Sequence, residues 1–326
     1  MPSVDRSGTI ANYIKKQFLS YSFVDKIQHA VVIASTMILV MIPTVLCQLF
    51  ARNKYPNKGR LQTVVEGQIY QQVYGVASQS NATIFLSKNK DAILIHTPPD
   101  MTPQFLRDIQ SLGAPVKYIL VSNECHEHFA ADCKQAFPLA KLITPRRSKD
   151  AVSLSCPVLD GTFEEHLDTL EDEFGFIKMF KEDDVGSCMA ERSFLVELNE
   201  NKKNDAMGSS TSTRKVCLFV ARCGVGNMDQ RYFGPLGALA GMTGGRFFRM
   251  YYWSFTPQKE TVASHWMQMV KQSSSSSSSS SMIGTSDDDK DNHDCNFVLC
   301  AAVFQHGVPI LGTRTKDELL KFYAYQ

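Results

Sequence analysis

The chain has 326 residues, 44% of them hydrophobic, with Lys+Arg 34 against Asp+Glu 33 and a formal net charge of +1. That length suits one sizeable core with attachments, or two small domains. Its balanced charge supplies no field to hold a phosphate backbone through counterion release, so nucleic acid is not an expected partner.

An N-terminal tail, residues 1–26, leads into residues 27–51, where no Asp, Glu, Lys or Arg occurs. About twenty residues at about 1.5 Å each cross one bilayer core, so this stretch is expected to be a transmembrane helix, with Pro43 as a kink. A buried core helix is the alternative. The run is too long, and begins too far from Met1, for a cleaved signal peptide. Residues 52–66 are expected to be a basic linker.

Lys15, Lys16 and Lys26 precede the span, whereas Arg52, Lys54, Lys58 and Arg60 follow it. The positive-inside rule then places the large domain in the cytosol or an equivalent reducing compartment. The 9 cysteines agree, because they are scattered, several lie within apolar runs, and none forms a Cys-x-x-Cys pair. Asn81-Ala82-Thr83 matches a glycosylation sequon, which would matter only in a lumenal domain.

Beyond the linker, strand-like and helix-like segments alternate in the manner of a layered α/β domain, expected over residues 67–326. Ala82 to Leu86 and Ala92 to His96 read as a hairpin closed by the polar turn Ser87 to Asp91. Thr102 as cap and Pro103 at the first helical position open a helix over Gln104 to Leu112, which Gly113 stops. A strand over Lys117 to Ser122 is followed by the Asn123 to His128 loop and a helix from Phe129 to Phe137. Lys141 to Thr144 returns as a strand.

Phe174 to Phe180, Ser193 to Leu198 and Val216 to Val220 are further expected strands, and Gln258 to Val270 an expected helix. Polar inserts are expected at about 199–213 and 272–294, the second a serine run followed by aspartates that cannot bury enough apolar area to offset its ordering entropy. Phe297 to Phe304 is the last strand, and a helix from Lys316 to Tyr323 closes the chain.

The order of these elements, together with "ILIHTPPDMTPQFLRDIQSLG", "YILVSNECHEHF", "FPLAKLITPR" and "VFQHGVPI", resembles the metallo-β-lactamase superfamily, and within it a subfamily of unknown function with an altered metal motif. The resemblance runs from about Gly67 to the C-terminus. It implies a four-layer αββα metallo-β-lactamase-like sandwich, here with an N-terminal transmembrane helix. Active members end a strand in Thr-His-x-His-x-Asp-His. Laying that motif on Ser122 to His128 puts Asn123, Cys125 and Glu127 where His, His and Asp belong, and retains His128. Arg222 in "LFVARCG" stands in place of the bridging aspartate, the third-strand histidine has no counterpart around Cys188 to Glu191, and His306 matches the final histidine.

A hydrolytic zinc needs about three protein ligands and one open position for water. The resemblance therefore implies a degenerate site at which ordinary two-zinc hydrolysis is not supported. One alternative is a rearranged mononuclear zinc site drawing on Cys125, His126, His128 and His306, with Glu127 as general base. Another is a structural zinc, and a third is a polar loop at a helix N-terminus.

Weaker signals have ordinary explanations. Gly224-Val225-Gly226 reads as a tight turn rather than a dinucleotide site, and no serine has an elbow motif. Arg246, Arg249, Tyr252 and Trp253 belong to an aromatic and basic run that is expected to pack on the core, with a membrane or partner surface as the alternative. Three functions follow: a non-catalytic, membrane-tethered binding or assembly component, a divergent single-zinc hydrolase, and a structural subunit of an organellar membrane complex. The expected partners are the lipid bilayer, through residues 27–51, and other proteins.

Overall fold

The computed structural model describes residues 59–74, 80–122, 127–179, 194–199, 214–220, 297–305 and 307–323, with isolated positions elsewhere. They form a mixed α/β architecture built on two sheets. The first is seven-stranded, in the order β1 (Leu61–Val65), β2 (Ile69–Tyr74), β3 (Ser80–Leu86), β4 (Ile93–His96), β5 (Val116–Leu120), β6 (Lys141–Thr144) and β7 (Gly161–Thr162). Strands β1 to β4 pair antiparallel, whereas β4 to β7 pair parallel.

The second sheet comprises β8 (Phe176–Met179), β9 (Phe194–Glu197), β10 (Arg214–Val220), β11 (Phe297–Phe304) and β12 (Ile310–Leu311), ordered β12-β11-β10-β9-β8. Only β10 and β11 run parallel to each other.

Strand alternation divides the interior into two layers. Phe85, Leu94, Tyr118 and Leu120 of the first sheet meet Phe176, Phe194, Val196, Cys217 and Val303 of the second in one apolar cluster. Within it, the Phe176 and Phe194 rings stack with centroids 4.2 Å apart. The alternate residues Ile84, Ile93, Ile95, Ile119 and Leu142 point the other way, onto Phe105 and Ile109 of α1 (Pro103–Ser111), Ala130 and Cys133 of α2 (Ala130–Ala136) and Val152 of α3 (Lys149–Ser155). Such strands are buried on both faces and read as unbroken apolar runs.

Helix α4 (Leu167–Phe174) contributes Leu170 and Phe174 to the layer between the sheets. Gly175 ends it in the left-handed region at φ 74. The closing helix α5 (Thr315–Tyr323) contacts β11.

The expected start of α1 is present, since Thr102 accepts a hydrogen bond from the Phe105 amide at 3.2 Å with Pro103 at the first position. Strands β6 and β11 have the bounds expected for them. By contrast β1 extends the sheet into residues 61–65, a stretch expected to be linker. Its neighbour β2 carries Gln71 and Gln72, at 4% and 1% exposure, and a buried glutamine reads as surface in a sequence. Elements between Pro145 and Phe174 were not anticipated, because that stretch is acidic and its helices are short.

Of the expected span 27–51, only Ile27, Val31, Ala34 and Ser35 are described, as helical and exposed. Among the described residues no helix is long and apolar enough to cross a membrane. The expected helix over Gln258 to Val270 and both polar inserts also lie almost wholly outside the described residues.

Cys133, Cys156 and Cys217 are in no disulfide and at most 1% exposed. Burial pushes the Cys133 and Cys217 thiols well above the usual range. Without thiolate there is little nucleophile. Peptide-level mass spectrometry after brief alkylation of the native protein should therefore find these three unmodified, and modified once denaturant is added. Rapid native alkylation at any of them would contradict this packing.

Candidate functional site

Because β4, β5, β10 and β11 carry their C-terminal ends to the same end of the two sheets, the loops leaving them start close together. At that end the apolar layer gives way to polar groups. A cross-strand row of Gln71, Thr83 and His96 spans β2, β3 and β4, all at most 4% exposed. Gln71 Nε2 donates to Thr83 Oγ1 at 2.9 Å and to the Phe304 carbonyl at 3.2 Å.

Asn81, at the start of β3, ties the first sheet to the second. Its amide nitrogen Nδ2 donates to the carbonyls of Phe304 at 2.9 Å and Gly307 at 2.6 Å, and its backbone N–H donates to the Gln305 carbonyl at 2.8 Å. Two carbonyl acceptors fix which end of the carboxamide is the nitrogen. Asn81 Oδ1, on the opposite side, has no partner among the described residues. With Gln62, Thr63, Gln71 and Pro309, Asn81 lines a cleft of about 200 Å³ between β1 and the chain after β11. At 1% exposure, with Nδ2 held between two carbonyls, the sequon asparagine Asn81 leaves no room for a glycan in this fold.

Gln305 is fully buried and its Nε2 lies 2.7 Å from Ser122 Oγ and 3.0 Å from Thr97 Oγ1. Thr97 Oγ1 is 3.3 Å from Ser122 Oγ and 2.9 Å from His96 Nδ1. With both amide protons of Gln305 committed to the hydroxyls, the proton order running from Ser122 to Thr97 to His96 satisfies each of these contacts. It leaves His96 as the Nε2–H tautomer. Burial pushes the His96 imidazole down to about 3, so it is neutral at physiological pH.

Thr97 holds this position at φ 61, in the left-handed region, which a β-branched residue adopts at a cost of about 1–3 kcal/mol. The hydroxyl and imidazole have the outline of a nucleophile and base. Yet Thr97 and His96 are 0% and 1% exposed, so the couple is closed to a substrate arriving from solvent.

Among the residues expected at the site, Glu127 and His128 are described. Glu127 is buried at 3% exposure and precedes α2, whose first amide donates to its carbonyl at 2.8 Å. The His128 side chain is 56% exposed, with Nδ1 3.8 Å from Glu127 Oε1. Asn123, Cys125, His126, Arg222 and His306 lie outside the described residues, as do Arg246, Arg249, Tyr252 and Trp253.

Zinc requires thiolate, imidazole or carboxylate donors. Among the described residues no three His, Cys, Asp or Glu side chains are grouped to hold a metal ion. The groups that do meet at the strand ends are two hydroxyls, a carboxamide and an imidazole whose Nδ1 is already engaged, and these do not fit zinc.

Thr97, Ser122, Gln305 and Asn81 were not singled out as site residues in the sequence. Gln305 stands 208 residues from Thr97 and 183 from Ser122, so only the fold reveals the cluster. One usable signal is that each lies within three residues of a strand end on the same side of its sheet.

Fold and site together define an α/β domain of two facing sheets with an uncharged hydrogen-bond network at their common strand ends. Compared with protein-family models and with curated proteins, the chain matches none.

Proposed function

We propose that this chain is a membrane-tethered, metallo-β-lactamase-like αββα domain that serves binding or assembly and does not carry out two-zinc hydrolysis. One observation carries this reading. Ser122 and Gln305 immediately precede the two stretches that resemble ligand positions, Asn123 to His128 and His306, and their side chains lie 2.7 Å apart. The two stretches thus depart from one point, as a shared metal centre requires, but the point itself is built of a hydroxyl and a carboxamide. β10 also ends there, since Val220 pairs with Phe304, and Arg222 follows two residues later.

The layering supports the sandwich, with α1 to α3 on one sheet and α5 on the other. Support for the tether comes from the sequence, where residues 27–51 hold no Asp, Glu, Lys or Arg.

A second reading, a single-zinc hydrolase using Cys125, His126, His128 and His306, is favoured by the buried Glu127 carboxylate beside His128. Elemental analysis of the full chain, purified in detergent from zinc-supplemented cells, separates the two. The first expects zinc well below one equivalent and thermal stability unchanged by chelator. Stoichiometric zinc, lost in His128→Ala or His306→Ala, would overturn the first reading, and zinc-dependent hydrolysis lost in Glu127→Gln with the zinc retained would mark the hydrolase.

A further inference from the structure

Strand β1 is the outer strand of the first sheet and β12 the outer strand of the second, and the cleft lined by Asn81 opens between these two edges. One wall of it is built of carboxamides. Gln62 of β1 lies directly across from Gln71 of β2. Gln71 and Asn81 share a face of the sheet, because Asn81 stands two residues along β3 from Thr83, the partner of Gln71.

Gln71 Nε2 and Asn81 Nδ2 both donate to the Phe304 carbonyl, at 3.2 and 2.9 Å, and their second protons go to Thr83 Oγ1 and the Gly307 carbonyl. The nitrogen ends therefore converge with every proton committed, and the groups left over are two carboxamide oxygens. Asn81 Oδ1 is buried with no donor among the described residues, a rare condition in a folded protein. The opposite lip cannot supply a donor at Pro309, which has no N–H. With Nδ2 pinned between two carbonyls, Oδ1 cannot swing to a donor elsewhere, so a donor has to come to it.

The rest of the lining sets the character of what enters. Among the described lining residues none is ionisable, so a charged molecule would leave water and meet no counter-charge. Val64, Val73, Val308 and Leu311 supply apolar surface. The volume of about 200 Å³ equals that of about seven waters, which is room for one ring with a polar group attached.

We propose that this cleft binds a small neutral molecule through a primary carboxamide. The NH2 group gives one hydrogen bond to Asn81 Oδ1 and one to Gln71 Oε1, the carbonyl accepts from Gln62 Nε2, and the apolar body lies against Val73 and Leu311. A hydroxyl has one proton for two acceptors, and an ammonium brings a charge that nothing in the lining balances. The two receiving oxygens are held in place by the same bonds that join the sheets, so the site is set before its ligand arrives. The assignment is independent of both the tether and the zinc question.

Benzamide is the probe, added to the full chain in detergent and followed by saturation-transfer difference NMR against empty micelles. Saturable binding at about millimolar concentration is expected for a molecule of this size. N,N-dimethylbenzamide keeps the ring and carbonyl but has no N–H, and benzoate carries a charge and no N–H; each should bind about tenfold more weakly. Gln62→Leu, at a half-buried position outside the Asn81 bonds, should weaken benzamide several-fold and leave the midpoint of thermal unfolding in place. Equal affinity for benzamide and N,N-dimethylbenzamide would overturn the donor requirement, and undiminished binding in Gln62→Leu would overturn the location. Absence of saturable benzamide binding would overturn the site as a whole.

Discussion

Asn81→Asp should destabilise the domain by about 3 kcal/mol or more, a loss readable as a fall in the midpoint of thermal or denaturant unfolding. The change is isosteric, so no cavity or clash enters. What alters is one donor group: Nδ2 now gives bonds of 2.9 and 2.6 Å to the Phe304 and Gly307 carbonyls, and a carboxylate oxygen there would face both of them. The Gly307 carbonyl loses this donor, the Phe304 carbonyl keeps the one from Gln71 at 3.2 Å, and a charge is buried at a site 1% exposed.

Asn81→Leu removes the same bonds without the charge and should cost less, which separates lost hydrogen bonding from repulsion. Because these bonds join β3 to the chain leaving β11, they couple the two sheets directly. A variant as stable as the parent would show that the sheets are held by the apolar layer alone.

Much of the architecture was open to reading because its strands are buried on both faces. Phe297 to Phe304 and Lys141 to Thr144 stand out as apolar runs with turn residues beyond them, and Thr102-Pro103 announces α1 by capping chemistry alone. Strands β1 and β2 escaped because Gln71 and Gln72 satisfy their amides inside, on Thr83, Phe304 and Gly59, and so break the rule that glutamine is surface. The site was hidden for a different reason. Charge and metal-ligand spacing draw attention to Cys125, His126 and His128, whereas the groups that meet are neutral hydroxyls and carboxamides brought together across as many as 208 residues. Among the candidate residues Glu127 and His128 alone are described, one buried and one exposed, because adjacent residues at the start of a helix point in different directions.

His96 gives the second large effect, as pH dependence. Its folded pKa is pushed down to about 3, whereas the unfolded imidazole titrates near 6.5. Between those values the unfolded chain binds the extra proton, so stability rises with pH across this window. Above about pH 6.5 both states are neutral and the contribution is constant. As pH falls below 6.5 stability is lost at about 1.4 kcal/mol per unit, which is about 3 kcal/mol by pH 4.5. His96→Gln should flatten that part of the curve, because it keeps an amide able to meet Thr97 Oγ1 but cannot titrate. The expected measurement is a series of unfolding midpoints from pH 7.5 to 4.5 for parent and variant, with the two curves diverging below about 6.5. Parallel curves would mean that His96 is protonated in the folded protein. In that case His96 Nδ1–H donates a hydrogen bond to the Thr97 hydroxyl, and the order of donation from Ser122 through Thr97 to His96 is reversed.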